Sequence, residues 1–144
     1  MCALIHDVGK ISINKDILNK PGELSEEEWH VFRSHPELGA GIVKQIPQLA
    51  DCADIILHHH EWYDGTGYPA GLKGSAIPIE SRIISLAEAF VTMMSERSYT
   101  RTKTLDEAIK ELRRFSGLQF DPILVELFIS IFDKKDNPAN KARR

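Results

Sequence analysis

The sequence sets a histidine beside an aspartate at His6-Asp7, with Lys10 three residues on, and runs three histidines together at His58, His59 and His60. Adjacent helical residues point about 100° apart, so His6 and Asp7 share a target only if it lies between them. A metal ion, or a pair of ions bridged by the aspartate, meets that condition. A plain hydrogen bond near a helix end would also account for the histidine. Asp7 follows the apolar stretch Ala3-Leu4-Ile5, where an ionised carboxylate is costly unless paired. His59 and His60 extend, four residues on, an apolar stripe through Ile55 and Ile56, which aims both imidazoles at a buried face. His58 lies off that stripe. Glu61 and Asp64 follow, and His35 sits at a helix boundary marked by Pro36. One buried histidine usually needs only a hydrogen bond. Several inward histidines with an aspartate, all on the helices of one small domain, form the nitrogen and oxygen donor set of an octahedral metal site. The segment Asp64-Gly65-Thr66-Gly67-Tyr68-Pro69 reads alone as a turn. Directly after the histidines it becomes a loop beside the metals, with Tyr68 supplying a ring and a hydroxyl to a substrate.

These residues need a scaffold, and the rest of the chain reads as helices joined by loops, with almost no alternation of period two. A helix over residues 1–8 stops at Gly9, and residues 14–22 read as a loop turning at Pro21-Gly22. Ser25 with Glu28, and Thr104 with Glu107, form capping boxes that start two further helices. Pro36 opens a helix carrying Leu38, Ile42 and Val43. Residues 51–61 form the helix that ends in the histidines, residues 62–78 a Gly/Pro-rich loop, and residues 80–95 a long apolar helix. Asp121-Pro122 starts the last helix, whose inward stripe is read as Leu124, Leu127, Phe128 and Ile131. The expected fold is an all-α multi-helix bundle in one domain, residues 1–132. A basic flexible tail, 133–144, holds five basic and two acidic residues.

Composition narrows the classes. The 144 residues are 42% apolar and 27% charged, which excludes a disordered chain. No apolar run reaches the roughly 20 residues of a membrane span, and the start carries no secretion signal. The net charge of −3 argues against a DNA-binding domain held by bulk electrostatics. Two cysteines, Cys2 and Cys52, are too few for a disulfide scaffold and suit a reducing cytoplasm.

Taken in order, His6-Asp7-Val8-Gly9-Lys10, Asn19 to Leu24, His35-Pro36-Glu37-Leu38-Gly39, His59-His60-Glu61, Asp64 to Leu72, Ile77-Pro78 and Ser95 to Tyr99 resemble the HD-GYP family, a branch of the HD metal-dependent phosphohydrolases. The resemblance implies hydrolysis of cyclic di-GMP, a bacterial second messenger, to linear pGpG or on to GMP, with two or three divalent metal ions. By it, His6, Asp7, His35, His59 and His60 are metal ligands, with Asp7 bridging and Lys10 near the scissile phosphate. Tyr68 and Arg97 touch the substrate, and the Gly-Tyr-Pro loop meets signalling partners such as diguanylate cyclases. Mixed histidine and carboxylate donors suit iron or manganese and also admit zinc.

Three departures qualify the match. The family's preceding helix, with a further histidine ligand, is not in this sequence. That reads as an N-terminal truncation and predicts a homodimer or a domain swap over the apolar face of residues 1–8. Glu88 stands where the family has a metal-binding aspartate, one methylene longer. Val91 replaces a second aspartate and Thr100 a basic residue, for which Arg101 is the substitute. The alternatives are therefore a degenerate module that binds nucleotide or partner without turnover, and a phosphohydrolase of another nucleotide.

Overall fold

The computed structural model describes residues 1–95 and 102–135, with side chains through Phe132. Eight α-helices follow in order among them: α1 (Cys2–Ile5), α2 (Lys15–Leu18), α3 (Glu26–Phe32), α4 (His35–Lys44), α5 (Cys52–Leu57), α6 (Ile79–Met94), α7 (Leu105–Arg114) and α8 (Pro122–Lys135). Short 3-10 turns span Val8–Ser12, Pro47–Leu49 and Gly74–Ala76. No strand occurs among the described residues, where an isolated bridge joins Ser116 to Phe120. The all-α expectation holds. Arg97, Thr100, Arg101 and the tail from residue 136 lie outside the described residues, and α8 runs three residues past the expected tail boundary.

The helix starts follow from their caps. Ser25 and Thr104 accept from the amides of Glu28 and Glu107, while those glutamates reach back to the cap amides, closing both boxes. Asp121 caps α8, accepting from Ile123 N at 2.8 Å, and also pairs with the Arg82 guanidinium at 2.5 Å, which ties α8 to α6.

Among the described residues, two apolar clusters form the interior. Val43, Cys52 and Ile56 gather Cys2, Ile5, Val8 and Leu49, uniting α1, α4 and α5. Leu86, Leu112, Phe120, Val125 and Ile129 unite α6, α7 and α8. Ser81, fully buried on α6, donates to the Ile55 carbonyl of α5 at 2.8 Å and links the halves.

Several local expectations are corrected. The helix over residues 1–8 stops at Ile5 and gives way to the 3-10 turn, because Gly9 does not cap a helix but packs against α4. A Cβ on Gly9 would collide with the His35 carbonyl oxygen and the Gly39 amide nitrogen. Asn14 caps a single-turn helix inside the segment read as loop. The helix expected to span 51–61 ends at Leu57, and the histidines occupy the turn beyond it. On α8 the buried face runs through Val125 and Ile129, while Leu127 and Ile131 are exposed. Leu124 and Phe128 are partly buried against the core, as expected; the helix is apolar around most of its circumference, so the sequence places the stripe only to within part of a turn. Cys2 and Cys52, judged too few for a scaffold, are joined by a disulfide with Cα atoms 5.3 Å apart, since α1 lies directly on α5.

Candidate metal centre

Three histidines reach one point by the same local device. His6 Nδ1 lies 2.7 Å from the Ala3 carbonyl, His35 Nδ1 2.8 Å from Phe32 O, and His59 Nδ1 2.6 Å from Ile56 O. Each ring thus donates Nδ1–H to the carbonyl three residues earlier, at the end of a helical turn. That fixes the tautomer and leaves Nε2 as a bare lone pair. His35 and His59 are fully buried.

The lone pairs converge on Asp7. Its Oδ1 is 3.4 Å from His35 Nε2 and 3.9 Å from His59 Nε2, and its Oδ2 is 3.5 Å from His6 Nε2. Lys10 Nζ donates to Oδ2 at 2.6 Å. His60 Nε2 meets His35 Nε2 at 3.1 Å. Donor atoms of Asp7, His35, His59 and His60 all lie within 4.8 Å of one another, and so do those of His6, His59 and Glu88. The two groups share His59. Asp7 Oδ1, His6 Nε2 and His59 Nε2 are buried without a hydrogen-bond partner, a costly state that a divalent cation would relieve. The residues present therefore fit a divalent metal. Glu88, on α6, enters through the second group despite its extra methylene.

Electrostatics prepares these groups to bind a cation. Burial opposes ionisation of Asp7, but the Lys10 ammonium, by its charge and its hydrogen bond to Oδ2, favours the carboxylate and holds the carboxyl below the usual range. Burial, reinforced by the neighbouring rings, lowers His59 to about 4 and His60 to about 2, so both are neutral at pH 7. Asp7, His59 and His60 are thus already in the form that a cation binds, and would release few protons on taking one up.

The Gly-Tyr-Pro loop closes over one side. The Tyr68 ring stacks on His60 with centroids 5.0 Å apart, and Tyr68 N donates to His60 O at 3.2 Å. Burial first, then Glu88 and Asp7, push the Tyr68 hydroxyl up to about 12 against the opposing charge of Arg33. Asp64 binds within its own turn, accepting from Thr66 N and Oγ1 at 2.9 and 2.7 Å, and is absent from both donor groups. His58 is buried, contrary to its place off the helical stripe, yet it turns away from the centre toward Asp54 and Glu61 at 3.4 Å each. His30 is exposed.

Residues that the sequence did not single out also line the site. The Arg33 guanidinium lies 5.6 Å from the Tyr68 ring centre. Its position two residues before His35 was the only available signal. A cavity of about 360 Å³ opens beside His60 and Glu88 and extends to Glu111, Phe115, Gln119 and Phe120. No sequence spacing pairs α6 with that stretch.

A family model described as an HD domain matches residues 1–124. The chain is 42% identical over 133 residues to the cyclic di-GMP phosphodiesterase response regulator RpfG of Xanthomonas campestris pv. campestris, covering 90% of this chain and 35% of that protein. It is 42% identical over 131 residues to a cyclic di-GMP phosphodiesterase of Thermotoga maritima, with 90% and 36% covered. Among solved structures, a cyclic GMP-AMP specific phosphodiesterase of Vibrio cholerae superposes with a TM-score of 0.67 at 26% identity, covering 94% of this chain and 37% of the other. The chain thus spans about a third of the length of the relatives it matches. With the HD-GYP resemblance supported by these relatives, the chain belongs to the HD domain family.

Proposed function

We propose that this domain is a metal-dependent phosphodiesterase acting on a cyclic dinucleotide, cyclic di-GMP in the first place. The observation that carries the proposal is the pair of overlapping donor groups sharing His59, with three of their atoms buried and unpartnered. Bound divalent ions, iron or manganese by the donor set and with zinc admitted, would polarise the phosphate and supply an activated water. His6, Asp7, His35, His59 and His60 would hold them, with Glu88 completing the second group. Lys10 stabilises ionised Asp7 and adds positive charge where a phosphate oxygen would lie. Tyr68 and Arg33 form the wall facing the substrate, and Arg97 adds a phosphate contact by family resemblance.

The cavity supports the size of this substrate. Its volume is at the low end for small-molecule sites, which suits one nucleoside half with the phosphate at the metals. The exposed rim of the loop, Trp62 and Thr66, is where a signalling partner such as a diguanylate cyclase would touch.

A binding module without turnover is the second reading, favoured by Glu88 and Val91 at positions where the resemblance places aspartates. Metal analysis together with hydrolysis of cyclic di-GMP and 3′3′-cGAMP separates the two. The expected result is bound metal, a linear dinucleotide product, and loss of both in His59→Ala. Metal-loaded protein that binds cyclic di-GMP and leaves it intact would favour the module; protein that takes up no metal refutes the enzyme.

A further inference from the structure

Glu61 stands next to His60, is 2% exposed, and contributes no atom to either donor group. Its carboxylate faces the other way, into the loop. Oε1 accepts from Ala70 N at 2.7 Å and Oε2 from Leu72 N at 3.1 Å. Gly71, between them, has φ of 67°, the left-handed conformation that a side chain rarely adopts, and the two flanking amides turn to one acceptor. His58 Nδ1 lies 3.4 Å from the same Oε1, with His58 Nε2 3.4 Å from Asp54, so the carboxylate is also braced from α5. The chain folds back tightly here. A Cβ on Gly67 would overlap the Trp62 nitrogen and the Glu61 backbone.

A buried carboxylate is unfavourable unless donors compensate it, and two main-chain N–H groups and an imidazole do so here. Both amides belong to the segment immediately after Tyr68. Fixing them fixes the position from which the Tyr68 ring lies on His60.

We infer that Glu61 is a positioning residue: its carboxylate tethers the Gly-Tyr-Pro loop by the amides of Ala70 and Leu72 and so holds Tyr68 against His60, in place of binding metal itself. The inference rests on the proposed reading of the site only for its kinetic consequence. In Glu61→Gln, one amide faces an NH2 group in place of an acceptor. Glu61→Asp, one methylene shorter, serves as a second variant if the first does not fold.

The experiment combines amide hydrogen exchange, metal content and a double-mutant cycle with Tyr68→Ala. Exchange at Ala70 and Leu72 is expected to rise about tenfold in Glu61→Gln while metal content stays at the wild-type level. KM for cyclic di-GMP is expected to rise about tenfold with kcat within about twofold. In the Tyr68→Ala background the same change should add almost nothing, since both act through one ring. Unchanged exchange, parallel loss of metal and kcat, or independent addition of the two KM effects would each overturn the tether. Should the wild type show no hydrolysis, the proposed reaction falls, and exchange with metal content still decides the role of Glu61.

Discussion

The approach of the Val8–Ser12 turn to α4 is main chain on main chain, which makes Gly9→Ala a severe test of how the metal centre is held. The added methyl would meet the His35 carbonyl oxygen and the Gly39 nitrogen, neither of which can rotate aside. Overpacking costs about 1–3 kcal/mol where side chains can yield, so about 3 kcal/mol or more is expected where the obstacle is a helix backbone. At roughly 3 °C per kcal/mol for a domain of this size, the melting temperature of the metal-free protein should fall by about 10 °C. The function suffers by the same movement. Asp7 lies just before the turn and His35 begins α4, so relieving the clash separates two of the proposed ligands, which would need placement within about 0.5 Å. Metal content should drop with stability.

The control lies on the same helix. Gly41 has nothing within 4 Å of its would-be Cβ and is exposed. Gly41→Ala should therefore stabilise by about 0.5–1 kcal/mol, because alanine loses less backbone entropy in a helix. Thermal unfolding of both variants, followed by circular dichroism and paired with elemental analysis, decides the matter. A Gly9→Ala protein that melts within roughly 2 °C of wild type and keeps its full metal content would refute the reasoning.

Two further outcomes follow from the centre itself. The folded metal-free protein holds His59 near 4 and His60 near 2, below their ordinary 6.5, so the unfolded chain takes up protons first on acidification. Stability present above pH 6.5 should fall from there toward pH 4, by up to about 1.4 kcal/mol per pH unit for each histidine; urea midpoints unchanged between pH 7 and 5 would contradict this. Glu88→Ala should lose the ion held with His6 and His59 while the Asp7, His35, His59 and His60 group keeps its own. Elemental analysis showing complete metal loss, or none, would show that the two groups are not separable as drawn.

What could be read from the sequence and what could not divide along a physical line. Residue type and period announce a candidate donor: a stripe from Ile55 and Ile56 aims His59 and His60 inward, although α5 stops at Leu57 and the histidines stand in the turn after it. The placement survives because His59 still bonds the carbonyl three residues back, so the turn continues the direction of the helix it ends. The same argument fails for His58, which is buried and lies 3.4 Å from both Asp54 and Glu61, polar partners that a stripe of apolar residues does not register. It is half right on α8, where Leu124 and Phe128 do pack on the core as expected. Apolar residues on nearly every face leave the centre of the stripe to be decided by Leu86 and Leu112 across the core, which select Val125 and Ile129 in place of Leu127 and Ile131. Local sequence reads Gly9 as a helix end, a common use of glycine, whereas its use is set by α4, at His35 and Gly39. Contacts between distant segments have no counterpart in local spacing. That is why the candidate donors His6, Asp7, His35, His59 and His60 are legible in the sequence and the Cys2–Cys52 bond, Arg33 beside Tyr68, and the cavity from His60 to Gln119 are not. Glu61 belongs to both kinds. Its adjacency to His60 marks it as part of the site, while its role depends on amides nine and eleven residues ahead, which meet it only because Gly71 turns the chain.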